Sequence, residues 1–164
     1  MKQALQAALA AGLLAATGPG WAGTVEVTTV ADHRYIDAGS SRWEEELNLK
    51  ALGDHLKALG QRHLPAGQTL KVELVEVDLA GHVWPTRRGQ DLRVVRGGVD
   101  WPRVTLRYTL SDATGKTLAS GEDTVKDMNY LQRLPVSRLD ESLAHEKRML
   151  REWFQQRFSA QPAT

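Results

Sequence analysis

Five arginines, Arg87, Arg88, Arg93, Arg96 and Arg103, fall between His82 and Arg103 against only two acids, Asp91 and Asp100, and the stretch holds no lysine. It carries a local charge of +3 in a chain whose net charge is +1. A guanidinium is a planar fork of donors that fits a carboxylate or a phosphate, and an indole can stack on a ring or on the guanidinium beside it. Trp84 and Trp101 flank the arginines, and Gly89, Gly97 and Gly98 let backbone approach a ligand closely. Arg87, Arg88, Arg93 and Arg96, with Trp84, Trp101, Asp91 and Asp100, therefore form the candidate ligand-binding set, a contact surface for an anion or a polar glycan. The competing reading is structural: Asp91 and Asp100 pair with neighbouring arginines, the tryptophans plug core edges and the glycines make turns.

Other chemistries find less support. With no cysteine, thiol chemistry, disulfides and the lipid anchor of bacterial lipoproteins are excluded. No GxSxG elbow is present, and Ser40 and Ser41 suit a helix cap better than a nucleophile. The five histidines are scattered; neither Asp32, His33 and Asp37 nor Asp78 and His82 supply three ligands at a recognised spacing, so no metal site and no cofactor is expected. Carboxylates for glycoside hydrolysis leave no spacing signature, and Asp91, Asp100, Asp127 and Glu146 are the ones available. No catalytic residue is assigned on these grounds.

Residues 1–22 hold one charge, Lys2, and an apolar run from Ala4 to Ala16, too short to span a bilayer, before Gly18, Pro19 and Gly20. Small residues Gly20 and Ala22 place the expected signal-peptide cleavage after Ala22. Loss of Lys2 leaves 20 basic and 20 acidic side chains, a balance that argues against nucleic-acid binding by bulk charge. A periplasmic or secreted protein with no membrane span is the expectation, its residues 23–160 forming one domain.

The elements that must position the loop read as follows. Val25 to Val30 alternates as a half-buried strand. Ser41 and Glu44 have capping-box spacing, and Leu49, Leu52, Leu56 and Leu59 form an apolar helical stripe that extends back to Trp43 through Leu47 and stops at Gly60 or at Leu64 and Pro65. Leu70 to Leu79 is the strongest strand, but its apolar residues change face after Leu74, which requires a bulge there or cover on both faces. Val104 to Leu110 and Thr117 to Val125 form a hairpin through the turn SDATGK. A last helix runs from about Asp140 to Phe158, with Leu143, Leu150, Trp153, Phe154 and Phe158 inward and Glu146, Lys147 and Arg148 on its solvated face. Met128 and Tyr130 are expected in the core.

The order is β-α-β-β-β-α, an α+β two-layer sandwich with two helices on one face of a mainly antiparallel four-stranded sheet, its first two strands parallel neighbours. Residues 80–102 form a long loop with no sustained period beyond Leu92 to Val95, and such loops are usually functional or disordered. The strings DLAGH, RRGQDLRVVRGGVDWPR, VTLRYTL, DMNYL and HEKRMLREWF, spread over Val25 to Phe158, resemble a bacterial exported family known as domain of unknown function 3016. The resemblance implies an envelope address and brings no activity, cofactor or partner with it. The expected function is a non-enzymatic periplasmic binding or accessory module whose loop meets an anionic envelope component or an acidic protein partner. The alternative is a small hydrolase of an envelope polymer, and a third is a structural protein whose sheet edge or second face a partner covers.

Overall fold

Val25 and Val27 alternate with polar neighbours, and Thr24–Thr29 is a strand, β1, whose valines meet the helix that follows. The computed structural model describes residues 23–30, 35–86, 91–133 and 141–158. The expected leader and its cleavage point, Asp32 and His33, Arg87 and Arg88, Gly89, the expected start of the last helix at Asp140 and the tail all lie outside the described residues. Among the described residues no helix is long and apolar enough to cross a membrane.

Helix α1 spans Arg42–His63. Ser41 is its N-cap, its hydroxyl accepting from the Glu44 N–H at 3.2 Å. The Glu44 carboxylate turns one residue further back than a capping box requires, accepting from the Ser40 N–H at 2.8 Å and the Ser40 hydroxyl at 2.5 Å. Leu52, Leu56 and Leu59 are buried as expected, but Trp43 is 70% exposed and Leu47 is exposed too. Trp43 lies nine residues before Leu52, about two and a half turns, and so projects from the opposite side of the helix. Gly60 does not stop α1. It lets the helix approach β1 so closely that an added Cβ would sit 2.2 Å from a Val25 methyl.

The strand β2, Thr69–Asp78, pairs parallel with β1 and antiparallel with β5, Arg103–Ser111; between them lie β3, His82–Pro85, and β4, Asp91–Val94. The phase change in β2 is a bulge: register passes from Leu74↔Leu106 to Glu76↔Thr105, so Val75 is the extra residue and Val77 rejoins the buried face. The SDATGK turn joins β5 to β6, Thr117–Lys126, and the sheet order is β1-β2-β5-β6. After β6 come a four-residue turn of helix, α2, Tyr130–Arg133, and the last helix, α3, Ala144–Phe158.

Helices α1 and α3 cover one face of this mostly antiparallel sheet. Leu70, Val72, Leu74 and Val77 of β2 and Val104, Leu106 and Leu110 of β5 pack there against Leu52, Leu56, Leu150 and Phe154. Tyr108, Trp153 and Phe158 meet edge to face at 5.3 to 5.9 Å, and Gly121 on β6 leaves the room that the Tyr108 ring occupies. His55 Nε2 meets the Lys147 carbonyl at 2.8 Å, tying α1 to α3. The opposite sheet face is polar and cross-paired, with Arg107 bridging Glu73 and Glu122 and Thr105 bonded to Thr124.

Candidate functional site

The region expected to be an irregular loop contains a small hairpin. Strands β3 and β4 pair antiparallel with His82↔Val94, Val83↔Arg93, Trp84↔Leu92 and Pro85↔Asp91. Each has only four residues, too few for an alternation to stand out in the sequence. Cross-strand partners share a face, so the hairpin has a body side with Val83 and Arg93 and an outer side with Trp84 and Leu92.

The body side is fastened by Arg93. Its guanidinium donates to both carboxylate oxygens of Asp37 at 2.6 and 2.9 Å, with the Ala80 and Gly81 carbonyls at 3.4 Å. Burial alone would make that guanidinium easier to deprotonate, but the Asp37 carboxylate outweighs it and leaves the group still more firmly cationic. Backbone bonds from Asp37 N–H to the Val77 carbonyl and from Leu79 N–H to the Asp37 carbonyl hold the anion beside the end of β2. Arg103 pairs with Asp78 at 3.0 Å; burial raises the Asp78 carboxyl above its usual range against the pull of Arg103, and nearby Asp37 adds to the rise.

The stretch after β4 is held by a second set of contacts. Asp100 is buried; its carboxylate accepts from the Tyr130 hydroxyl at 2.9 Å and, more loosely, from the Arg96 N–H at 3.4 Å. Its carbonyl accepts from the Gly81 N–H at 2.9 Å, and the Gly97 N–H donates to the Tyr130 oxygen at 3.1 Å. Gly97 and Gly98 have φ of 78° and 113°, the left-handed region that favours glycine. Burial, with Asp100 beside it, pushes the Tyr130 hydroxyl up to about 12. Behind this knot, Glu146 accepts from the Ala80 N–H at 2.8 Å.

Two expectations are thereby corrected. Glu146 and Arg148 are not on a solvated face: both are buried, Glu146 against the Ala80 amide and Arg148 in an ion pair with buried Asp127 and a second with Glu152 at 3.0 Å. Met128 is exposed rather than in the core, whereas Tyr130 is buried as expected.

The candidate residues thus divide. Arg93 is neutralised by Asp37, and Asp100 serves Tyr130 and a backbone amide rather than an arginine fork. Asp91 is exposed at the end of β4 and Trp101 is half-buried. Trp84 is 52% and Leu92 59% exposed, and the Arg96 guanidinium lies over the Trp84 ring at 5.1 Å from its centroid. Among the described residues the Arg96 guanidinium makes no ion pair. Val95 and Val99 are exposed beside it in the chain. Asp37 and Tyr130 were missed as partners of the loop because they lie 56 and 30 residues from the groups they hold.

Fold and site together define an α+β two-layer protein whose sheet carries, at one end, a latched hairpin with an indole and a guanidinium on its outer side. The chain belongs to the family described as Protein of unknown function (DUF3016), whose model matches residues 23–156. A stretch of 91 residues is 33% identical to part of the acetate kinase of Gloeothece citriformis (strain PCC 7424). That match covers 54% of this chain and 20% of the kinase, so the chain spans about a fifth of that relative's length. No solved structure matches the chain.

Proposed function

We propose that this is a non-catalytic binding module of the bacterial envelope, which uses the outer side of the β3–β4 hairpin to engage a phosphate-bearing surface. One observation carries the reading: the Arg96 guanidinium, without an acidic partner among the described residues, lies over a half-exposed Trp84 paired across the hairpin with exposed Leu92. Indoles and aliphatic side chains favour the boundary between lipid headgroups and acyl chains, while arginines meet the phosphates there. The latch through Asp37, Asp100 and Tyr130 holds this side in one geometry, which lowers the ordering cost of binding. Arg87 and Arg88, in the segment that joins the two strands in the sequence, add two positive charges within nine residues of Arg96 along the chain.

The hydrolase reading draws less support. Of its proposed acids, Asp91 is exposed on the hairpin, whereas Asp100 is buried against the Tyr130 hydroxyl and Glu146 against the Ala80 amide, so each buried carboxylate already serves a structural donor.

Sedimentation with vesicles of phosphatidylglycerol and phosphatidylcholine tests the proposal. A basic residue near an anionic surface contributes about 1 kcal/mol, so Arg96→Ala should weaken partitioning about fivefold at low salt. Trp84→Ala should weaken it at every salt concentration, and Arg87→Ala with Arg88→Ala should flatten its salt dependence. Equal binding to both lipids, or binding unchanged in all these variants, refutes the proposal.

A further inference from the structure

The end of a sheet leaves backbone donors and acceptors unpaired, and here one of the two ends is the ten-residue strand β6. The Asp127 N–H donates to the Pro102 carbonyl at 3.2 Å, marking the 102/127 position as a hydrogen-bonded one in the β5–β6 ladder. Antiparallel positions alternate between bonded and non-bonded. Val125 and Asp123 therefore bond to Val104 and Leu106, while the N–H and C=O groups of Glu122, Thr124 and Lys126 point away from β5. All three residues are exposed. Among the described residues, nothing pairs with this outer edge.

A cleft of about 630 Å³ runs beside the same edge, walled by Asp123 to Asp127 on one side and by Met149, Trp153 and Gln156 of α3 on the other. That volume is in the range of sites that hold ligands, roughly 300 to 1,000 Å³. Its acids are already answered. Asp123 accepts from the Trp153 indole N–H at 2.9 Å and from Arg157 at 2.7 and 2.8 Å, while Asp127 and Glu152 are shared by Arg148 and Arg133. What remains open is a row of backbone groups at every second residue, the half-buried Val125 beside the margins of the largely buried Met149 and Trp153, and the ammonium of Lys126, which has no acid among the described residues.

We propose that this groove takes an extended segment of another polypeptide, which adds to β6 as a fifth strand. The outward N–H and C=O groups of Glu122, Thr124 and Lys126 form the ladder, a repeat that an extended backbone matches and a globular surface does not. Alternation then sends one set of its side chains into the cleft, towards half-buried Val125 and the α3 side where Met149 and Trp153 show only their margins, and the other set to the polar face, beside Lys126. The segment is therefore apolar at the first set of positions and acidic at the position facing Lys126. This surface shares no residue with the hairpin, and either proposal can fail alone.

The probe is a set of synthetic heptapeptides alternating valine or leucine with threonine or aspartate, screened by fluorescence anisotropy against the full chain. Amide hydrogen exchange followed by NMR then reads the edge directly. With the tightest peptide bound, exchange at Glu122, Thr124 and Lys126 slows about tenfold or more, while Asp123 and Val125, already bonded to β5, change little. Thr124→Pro removes an outward N–H without removing a backbone bond to β5, and weakens that peptide about tenfold while the remaining β5–β6 amides stay protected; Thr124→Val, which loses only the hydroxyl bond to Thr105, leaves the peptide's affinity unchanged. Lys126→Glu reverses the preference from aspartate to lysine at the facing position. Failure of every peptide to bind, or binding without slowed exchange at the three amides, overturns the proposal. So does slow exchange there in the peptide-free protein, whether from a second copy or from the chain's own ends.

Discussion

Breaking the Arg93–Asp37 pair should release the hairpin from the body of the protein. Their side chains are 20% and 23% exposed, so the pair is about four-fifths buried and joined by two short hydrogen bonds. Removing one partner of a fully buried pair costs about 3 to 5 kcal/mol, whereas exposed pairs contribute about 0 to 1. Asp37→Ala should fall between, near 2 kcal/mol, because Arg93 keeps only the two carbonyls at 3.4 Å. The backbone bonds of Asp37 survive the substitution, so the variant isolates the carboxylate. A double-mutant cycle with Arg93→Ala, read by urea unfolding, should return a coupling of about 1.5 to 2 kcal/mol. Amide exchange should accelerate in β3 and β4 and stay unchanged in β2 and β5. A coupling below about 0.5 kcal/mol, or exchange that accelerates equally across both sheets, refutes this account of how the hairpin is held.

Two further substitutions and a titration probe the frame behind the hairpin. An added Cβ at Gly53 meets Val27 at an ordinary 3.5 Å, so Gly53→Ala should gain about 0.5 to 1 kcal/mol from helix propensity; at Gly60 the clash with buried Val25 should reverse the sign, a net loss of about 1 kcal/mol in urea unfolding. Ultraviolet titration should show one tyrosine ionising near 12, and Tyr130→Phe should abolish that step. Because the folded hydroxyl titrates above its ordinary value of 10.0, its contribution to stability is complete below about pH 10 and is lost as pH rises towards 12.

Much of the frame was legible because it rests on local periodicity. The change of phase after Leu74 announced the bulge, since a strand with one buried face cannot switch its apolar set otherwise. The β5–β6 hairpin and the cap at Ser41 were written in turn and capping residues a few positions apart. The stripe was extended wrongly to Trp43 because an apolar residue near a helix start carries no sign of which side it takes until its angle to Leu52 is counted. The site was less legible. A charge count found the Arg and Trp cluster, but not which arginine Asp37 would neutralise from 56 residues away. Nor could it show that Asp100 would turn to Tyr130. Glu146 and Arg148 look solvated in any local window, and only the Ala80 amide and Asp127, brought in by the fold, make their burial tolerable.

The most direct test places paramagnetic lipid in phosphatidylglycerol nanodiscs and records which amides of the full chain broaden. The predicted result is broadening confined to 82–85 and 91–99, reduced in Arg96→Ala and Trp84→Ala. Broadening centred instead on Trp43 and Leu47 of α1 or on β6, or none at lipid concentrations where vesicles bind the protein, contradicts the assignment of the hairpin as the contact surface.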